Sequence, residues 1–171
     1  MPQPTNDKKA HPKDRVTIQL DRYVPALLTW ISNKLSRGAS VLYLENFGVG
    51  IETWRCLVLL AAGEPISAQT ISQTIGLDKA SVSRCFKRML SDGLIELKDD
   101  AFDKRSKLAT ITAKGQQLHN QIMTVALVRE QALLKDLTEA EVETLLVLLN
   151  KMHKNLPSVE AASQQFVQQQ G

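Results

Sequence analysis

Residues 67–115 read SAQTISQTIGLDKASVSRCFKRMLSDGLIELKDDAFDKRSKLATITAKG, and this stretch decides the fold. The segment after Ser67 carries apolar residues at helical spacing, and the Ser67 hydroxyl can cap the start of a helix. Gly76 ends that helix, and Asp78 stands where an acidic residue would cap the next one. A short helix, a tight turn and a second helix are typical of a helix-turn-helix DNA-binding unit.

The second helix of this unit has two contrasting faces. Val82, Phe86 and Met89 share an apolar face, whereas the opposite face is small and polar near its start and basic farther along. Such a helix can pack by one face and enter a DNA major groove with the other. Arg84 offers a bidentate fork to guanine, and the basic residues nearer the helix end are expected to meet phosphates. The predicted DNA contacts here are Lys79, Ala80, Ser81, Ser83, Arg84, Lys87 and Arg88.

The sequence that follows Gly93 alternates between apolar and polar residues and predicts a β-hairpin. Its polar tip spans residues 99–106 and contains both acidic and basic side chains. We expect Asp103 to hold Arg105 extended toward a narrow, electronegative minor groove. The predicted DNA contacts of this hairpin, which we call the wing, are Asp103, Lys104, Arg105 and Lys107.

Several short motifs follow one another in a fixed order along the chain. They are Asn46-Phe47-Gly48, Trp54-Arg55-Cys56-Leu57, Gly76-Leu77-Asp78-Lys79-Ala80-Ser81-Val82-Ser83-Arg84, Leu90-Ser91-Asp92-Gly93-Leu94-Ile95, Asp103-Lys104-Arg105-Ser106-Lys107 and Thr112-Ala113-Lys114-Gly115. With this order and spacing, the segment from Phe47 to Gly115 resembles the MarR family of bacterial transcription regulators. Ser72 and Ile111 depart from residues usual in that family, and neither departure changes the predicted fold.

The resemblance implies a mainly α (α+β) fold, a winged helix-turn-helix whose N- and C-terminal helices form a dimerisation lobe. In that family each half of the dimer meets one half of a pseudo-palindromic operator. We therefore expect a flexible arm at 1–20, dimerisation helices at 21–48 and 116–160, a DNA-binding domain at 49–115, and a flexible tail at 161–171.

The segments outside the DNA-binding domain are strongly helical in pattern. We predict a helix that begins near Asp21 or Arg22 and is interrupted at Gly38, and a support helix over Thr53 to Ala61. Near the C-terminus, Thr138 and Glu141 form a capping box that opens the last predicted helix. These terminal helices carry more apolar surface than a small domain can cover, which predicts a homodimer. The alternative is that they fold back on their own chain.

Charge and composition agree with a small DNA-binding regulator. The chain has 171 residues and a formal net charge of +3. Between Lys79 and Lys107 there are eight basic and five acidic residues, so this segment carries an excess equal to the whole net charge. DNA affinity must therefore come from the local clustering of basic residues and not from the net charge of the whole chain. The N-terminal residues do not resemble a signal peptide and the longest apolar run is too short to span a bilayer, which predicts a cytoplasmic protein.

Catalytic and metal-binding patterns receive little support. The histidines, His11, His119 and His153, are far apart, and no motif indicates an enzyme, a cofactor or a metal site. Cys56 and Cys85 fall within predicted helices on or beside apolar faces, which favours a packing role. Two alternatives remain for the function: a winged-helix protein-interaction module that does not read DNA, and a thiol-based redox regulator.

The resemblance also implies a regulatory ligand, generally a small aromatic or phenolic acid, held where the dimer helices meet the DNA-binding domain. Arg37 can pair with its carboxylate, while Ser40 or His119 hydrogen-bonds a phenol. The alternative for Arg37 is an ordinary surface charge. The candidate ligand-binding residues are Trp30, Asn33, Arg37, Ser40 and His119. The expected function is a repressor released from its operator by such an acid, with genes for aromatic-acid breakdown as the first candidates for its targets.

Overall fold

The computed structural model describes residues 17–101, 103 and 106–171. Over these residues the chain forms helices and strands in the order α1 (Val24–Phe47), α2 (Ile51–Leu60), β1 (Ile66–Ser67), α3 (Ala68–Ile75), α4 (Lys79–Ser91), β2 (Ile95–Asp99), β3 (Lys107–Ile111), α5 (Ala113–Leu134), α6 (Glu139–Lys154) and α7 (Leu156–Gln170). The predicted mainly α (α+β) winged helix-turn-helix is confirmed. The described residues divide into two compact units, one that ends at Gln116 and one that runs from Gln117 to Gly171.

Local side-chain caps define the helix-turn-helix. The Ser67 hydroxyl accepts a hydrogen bond from Thr70 N at 3.1 Å and so caps α3. Gly76 ends α3 with φ of 68°, a left-handed conformation that glycine adopts without steric cost. Asp78 caps α4 by accepting from Ser81 N at 2.8 Å. These three predictions are confirmed.

The core of the first unit lies where α2, α3, α4 and the sheet meet. Side chains that are almost fully buried there are Cys56, Leu57, Leu60, Ile71, Val82, Met89 and Ile95. Helix α1 packs on α2 through polar and aromatic contacts. The Tyr43 ring meets the Trp54 ring edge to face at 5.9 Å, and Arg55 donates to the Ser36 hydroxyl at 2.8 Å. Helix α1 therefore belongs to the same compact unit as the winged helix.

The wing is part of a three-stranded antiparallel sheet in the order β1-β3-β2. The pairing of β2 with β3 confirms the predicted hairpin and places Asp99 opposite Lys107. The sequence analysis missed β1, which pairs Ile66 with Ala109. A two-residue strand is too short to show an alternating pattern, and only its pairing with β3 identifies it.

The junction between the wing and α5 is closed by hydrogen bonds to the turn after α4. Thr112 Oγ1 donates to Gly93 O at 2.8 Å, and Lys114 Nζ donates to Asp92 O at 2.7 Å. Thr112 Oγ1 also accepts from Gly115 N at 3.0 Å, and its backbone N–H donates to Leu94 O at 3.0 Å. The start of α5 is thus tied to the end of the helix-turn-helix.

The predicted interruption at Gly38 is wrong. Helix α1 runs without a break from Val24 to Phe47 and begins slightly later than expected, with Pro25 in its first turn. A glycine inside a helix costs only about 1 kcal/mol relative to alanine, which the hydrogen bonds and contacts of the flanking turns can offset. The support helix α2 also begins earlier than predicted, at Ile51.

The predicted flexible tail at 161–171 differs from the structure, in which α7 continues to Gln170. Glutamine is a good helix former, so a helix can form here although apolar side chains are few. The predicted N-terminal arm falls largely on residues 1–16, which lie outside the described residues.

The second unit contains a confirmed capping box at the start of α6. Thr138 N donates to Glu141 Oε2 at 2.8 Å, while Glu141 N donates to Thr138 Oγ1 at 3.3 Å. None of the helices in the described part of the chain is both long and apolar enough to cross a membrane. Among the same residues there is no group of three or more histidine, cysteine or acidic side chains that could hold a metal ion.

Candidate nucleic-acid interface

A chain of hydrogen bonds runs along the first turns of α4. The Ser81 hydroxyl donates to Asp78 Oδ2 at 2.5 Å and accepts from Arg84 Nη2 at 2.8 Å. The hydrogen bonds donated by Ser81 hold the pKa of Asp78 below its usual value, and the charge of Arg84 acts in the same direction. Arg84 is therefore turned toward the N-terminal end of α4, the end that meets base edges when such a helix enters a major groove.

The predicted contact residues of α4 lie along two edges of its exposed face. Ser81, Arg84 and Arg88 follow one edge at spacings of three and four residues, and they line an open recess beside α2. Lys79, Ser83 and Lys87 follow the other edge and line a recess on the side of the wing. Ala80 is exposed. Both edges together present four cations at the surface of one helix.

The recess on the wing side has a volume of about 530 Å³ and brings together three elements. The start of α3 with its cap Ser67 contributes Ser67, Ala68 and Gln69, and the wing contributes Leu97, Asp103, Ser106 and Lys107. Lys79 Nζ donates to Gln69 Oε1 at 3.4 Å, which links the first turns of α3 and α4. Sequence reasoning missed Gln69. A signal was available, because an exposed amide one residue into α3 stands where a helix-turn-helix approaches DNA.

The recess on the α2 side has a volume of about 370 Å³ and is more polar in character. Gly50, Glu52 and Thr53 line it from α2, opposite the α4 edge that carries Arg84. Arg88 on this edge lies 3.8 Å from Asp92, a neighbour one helical turn away. Both side chains of this ion pair are exposed, and exposed ion pairs are weak enough that Arg88 can leave Asp92 to bind a phosphate.

The wing contains an ion pair that the sequence analysis did not predict. Lys107 Nζ lies 2.8 Å from Asp99 Oδ1 across the two strands, and this contact lowers the pKa of Asp99. The antiparallel register places Asp99 directly opposite Lys107. Asp103 is exposed, and its carbonyl accepts from Ser106 N at 2.8 Å. The predicted contacts Lys104 and Arg105 lie outside the described residues.

The candidate ligand-binding residues fall in both units. Trp30, Asn33, Arg37 and Ser40 recur every three or four residues along α1, and because α1 is continuous they share one of its faces. Trp30 is 44% exposed, and Arg37 is also exposed. His119 belongs to the second unit, where its side chain is only 8% exposed and its Nδ1 lies 3.0 Å from Asn120 Oδ1.

Comparison with known proteins agrees with this geometry. The model of the MarR family matches residues 47–106. The crystal structure of a MarR/EmrR family transcriptional regulator from Acinetobacter sp. ADP1 is similar at a TM-score of 0.75 and 35% identity, covering 82% of this chain and 99% of that one. The Staphylococcus aureus MepR protein, solved as a DNA complex, is similar at a TM-score of 0.66 and 25% identity, covering 77% of this chain and 95% of that one.

Curated relatives lead to the same family of proteins. An uncharacterized HTH-type transcriptional regulator from Staphylococcus aureus is 24% identical over 115 residues, which are 66% of this chain and 79% of that protein. The relatives are transcriptional regulators and not enzymes. The 35% identity over nearly the whole Acinetobacter protein, together with the winged helix and the basic face of α4, shows that this chain is a DNA-binding transcriptional regulator of the MarR family.

Proposed function

We propose that this protein is a cytoplasmic homodimeric repressor that a small aromatic or phenolic acid releases from a pseudo-palindromic operator. The proposal extends to genes for aromatic-acid breakdown as its targets. The observation that supports a dimer is the exposed apolar surface of the terminal helices. The residues proposed to meet DNA are those on the two edges of α4 and on the wing.

The exposed surface of α6 is the main support for a dimer. Five consecutive apolar residues, Leu145 to Leu149, are each between 36% and 51% exposed. Five consecutive positions span more than a full helical turn, so apolar side chains point outward on every side of α6. Large uncovered apolar patches mark protein interfaces. A second copy that covers α6 from several sides, as in two chains whose terminal helices interlock, would bury this surface.

Further exposed apolar side chains in the terminal helices support the same assembly. Ile31, Val41 and Leu44 on α1 are each more than half exposed, as is Val159 on α7, and Phe166 and Val167 on α7 are more exposed still. In a two-fold dimer each of these surfaces is used twice, since the same patch occurs on both chains. Two DNA-binding domains held this way would meet two half-sites of one operator.

Replacing Leu146 with aspartate should weaken the dimer. A carboxylate at an apolar interface loses its hydration without gaining a partner, so we expect dissociation to become easier by about 2 kcal/mol or more. Sedimentation equilibrium over a concentration series measures this change. Glu143→Gln, a polar change on the same helix, should leave the dissociation constant unaltered. If Leu146→Asp sediments as a dimer of wild-type stability, Leu146 lies outside the interface.

The ligand part of the proposal is supported by the face of α1 that carries Trp30, Asn33, Arg37 and Ser40. An exposed indole can stack on an aromatic ring, and a guanidinium can bind a carboxylate through two hydrogen bonds. The amide and the hydroxyl supply further hydrogen-bonding groups for a phenol. His119 is a weaker candidate than the four predicted residues on α1, because its side chain is buried.

Arg37→Ala is expected to weaken binding of the effector acid by about 2 kcal/mol, since it removes a charged hydrogen-bond donor. Isothermal titration with the acid measures this loss. Lys34→Ala removes an exposed cation one turn away on the same helix and serves as the matched control. Equal affinities in the wild type, Arg37→Ala and Lys34→Ala would remove Arg37 from the site.

The overall proposal is tested by selecting bound sequences from a random duplex pool. We expect a pseudo-palindromic winner whose affinity falls steeply with salt, because phosphate contacts release counterions. A panel of aromatic and phenolic acids is then added to the complex, and release by one of them supports the repressor mechanism. A winner that no acid releases would contradict the proposed effector class. An absence of enrichment would favour a protein-interaction module.

A further inference from the structure

The side chain of Arg84 is joined to the cap of α4 through one hydroxyl group. Asp78 uses its two carboxylate oxygens for different partners: Oδ1 accepts from Ser81 N at 2.8 Å, and Oδ2 accepts from the Ser81 hydroxyl at 2.5 Å. The same hydroxyl accepts from Arg84 Nη2 at 2.8 Å. Because Oδ1 is fixed by the backbone of the first helical turn, the whole chain of hydrogen bonds is anchored to the start of α4.

The chemistry of the three groups fixes the direction of these hydrogen bonds. A guanidinium has N–H donors and no acceptor, whereas an ionised carboxylate only accepts. The hydrogen bonds from Ser81 hold the pKa of Asp78 below its usual value, so this carboxylate is ionised at neutral pH. The single hydroxyl proton of Ser81 must therefore point to Asp78, and an oxygen lone pair faces Arg84.

This direction limits what Ser81 can do at a DNA surface. A hydroxyl whose proton is held by a carboxylate cannot donate that proton to a phosphate or to an acceptor on a base. Arg84 is in the opposite situation. Its guanidinium carries several N–H donors, and the hydrogen bond to Ser81 uses one of them, so the others remain available for a base.

The recess beside α2 contains groups that would otherwise draw Arg84 to other positions. Glu52 lines the recess from α2, and Arg88 lines it one turn farther along α4. The carboxylate attracts a guanidinium and the second cation repels it, and a long side chain such as arginine has many rotamers. The hydrogen bond to Ser81 selects one orientation of Arg84 among these.

We infer that Asp78 and Ser81 are positioning residues that order Arg84 before DNA binds and so set how sharply it discriminates between bases. The inference rests on the proposed base-reading role of Arg84. A side chain that is already ordered loses less conformational entropy on binding, and it meets a base edge in one geometry. Ser81 is among the residues proposed to meet DNA, and here it acts through Arg84.

Two substitutions break the chain of hydrogen bonds and keep the helix cap. Ser81→Ala deletes the hydroxyl but leaves the backbone N–H that Asp78 caps. Asp78→Asn supplies an equally good cap, but its amide nitrogen cannot accept the hydroxyl proton. Ser81→Thr restores a hydroxyl at the same position. Ser91→Ala deletes a hydroxyl from an exposed position at the other end of α4 and is the matched control.

The ratio of affinities for the selected operator and for duplexes with single base changes measures discrimination. We expect Ser81→Ala and Asp78→Asn to lower this ratio about fivefold, within the usual range for residues of one hydrogen-bond network. Ser81→Thr and Ser91→Ala should keep the wild-type ratio. The salt dependence of binding should not weaken in these variants, because none of them removes a cation. In an Arg84→Ala background, Ser81→Ala should have no further effect.

NMR relaxation of the Arg84 Nε–H group in the free protein tests the positioning without DNA. We expect this group to be more mobile in Ser81→Ala than in the wild type, and equal mobility would overturn the inference. A loss of affinity that Ser81→Ala shows equally on every duplex, or that persists in the Arg84→Ala background, would also overturn it, because Ser81 then contacts DNA itself.

Failure of the base-reading role gives a different result. If Arg84→Ala alone leaves discrimination unchanged, the proposed base reading is wrong, and the effect of Asp78 and Ser81 on specificity is wrong with it. The mobility of Arg84 in the free protein then still shows whether the two residues position its side chain. Circular dichroism of each variant checks that the protein is folded.

Discussion

Arg84→Ala is expected to lower operator affinity by about 1–3 kcal/mol and to relax discrimination at particular base pairs. In the structure the Arg84 guanidinium is turned toward the start of α4 by its hydrogen bond to Ser81, where base edges are met. A bidentate pair with guanine O6 and N7 is the commonest specific contact of arginine. Competition binding against duplexes with single base changes measures the loss position by position.

Two matched variants separate base reading from general attraction to phosphates. Arg84→Lys keeps the charge but lacks the planar fork, so discrimination should fall while the salt dependence is retained. Lys87→Ala should weaken binding to all sequences alike and reduce the salt slope by about one. If Arg84→Ala behaves like Lys87→Ala, with equal losses on every duplex, Arg84 contacts phosphates and the base-reading role is wrong.

Gly115→Ala should destabilise the fold severely although it adds a single methyl group. A Cβ at this position would lie 2.1 Å from the backbone oxygen of Leu94 and 2.8 Å from Ile111 Cγ1. The Leu94 oxygen cannot retreat easily, because it accepts the hydrogen bond from Thr112 that joins the wing to α5. Overpacking of this kind costs about 1–3 kcal/mol, and a clash with backbone belongs at the upper end. Urea unfolding monitored by circular dichroism measures the change.

The glycine Gly50 provides a control for Gly115. An added Cβ at Gly50 would meet only the end of the Glu52 side chain, at 3.2 Å, and that side chain can move. Gly50→Ala should therefore shift the urea midpoint much less than Gly115→Ala. A Gly115→Ala protein as stable as Gly50→Ala would show that the junction of β3 and α5 tolerates movement.

Much of the winged helix could be predicted because its elements depend on neighbouring residues. The caps at Ser67, Asp78 and Thr138 act on backbone groups two or three positions away, and all were confirmed. The buried face of α4 follows from helical spacing in the same way, and Val82, Phe86 and Met89 are indeed its buried residues. The predicted roles of its exposed face in DNA contact stay predictions.

The errors occurred where the prediction relied on one local signal. Gly38 weakens a helix locally, yet α1 continues through it while packing on α2. The glutamine-rich end of the chain offers few apolar side chains, yet α7 forms there. The ion pair of Lys107 with Asp99 was not predicted, because it depends on the strand register.

The sequence by itself determined the helix-turn-helix, the hairpin and the segments of uncovered apolar surface, because caps, turns and periodic faces involve residues within one or two turns of each other. Only the tertiary structure decided which residues from different elements meet. Gln69 reaches Lys79, Thr53 reaches Cys85, and the Leu94 carbonyl lies against Gly115. Such pairs depend on how helices and strands pack against each other, and the spacing of residues along the sequence does not indicate that packing.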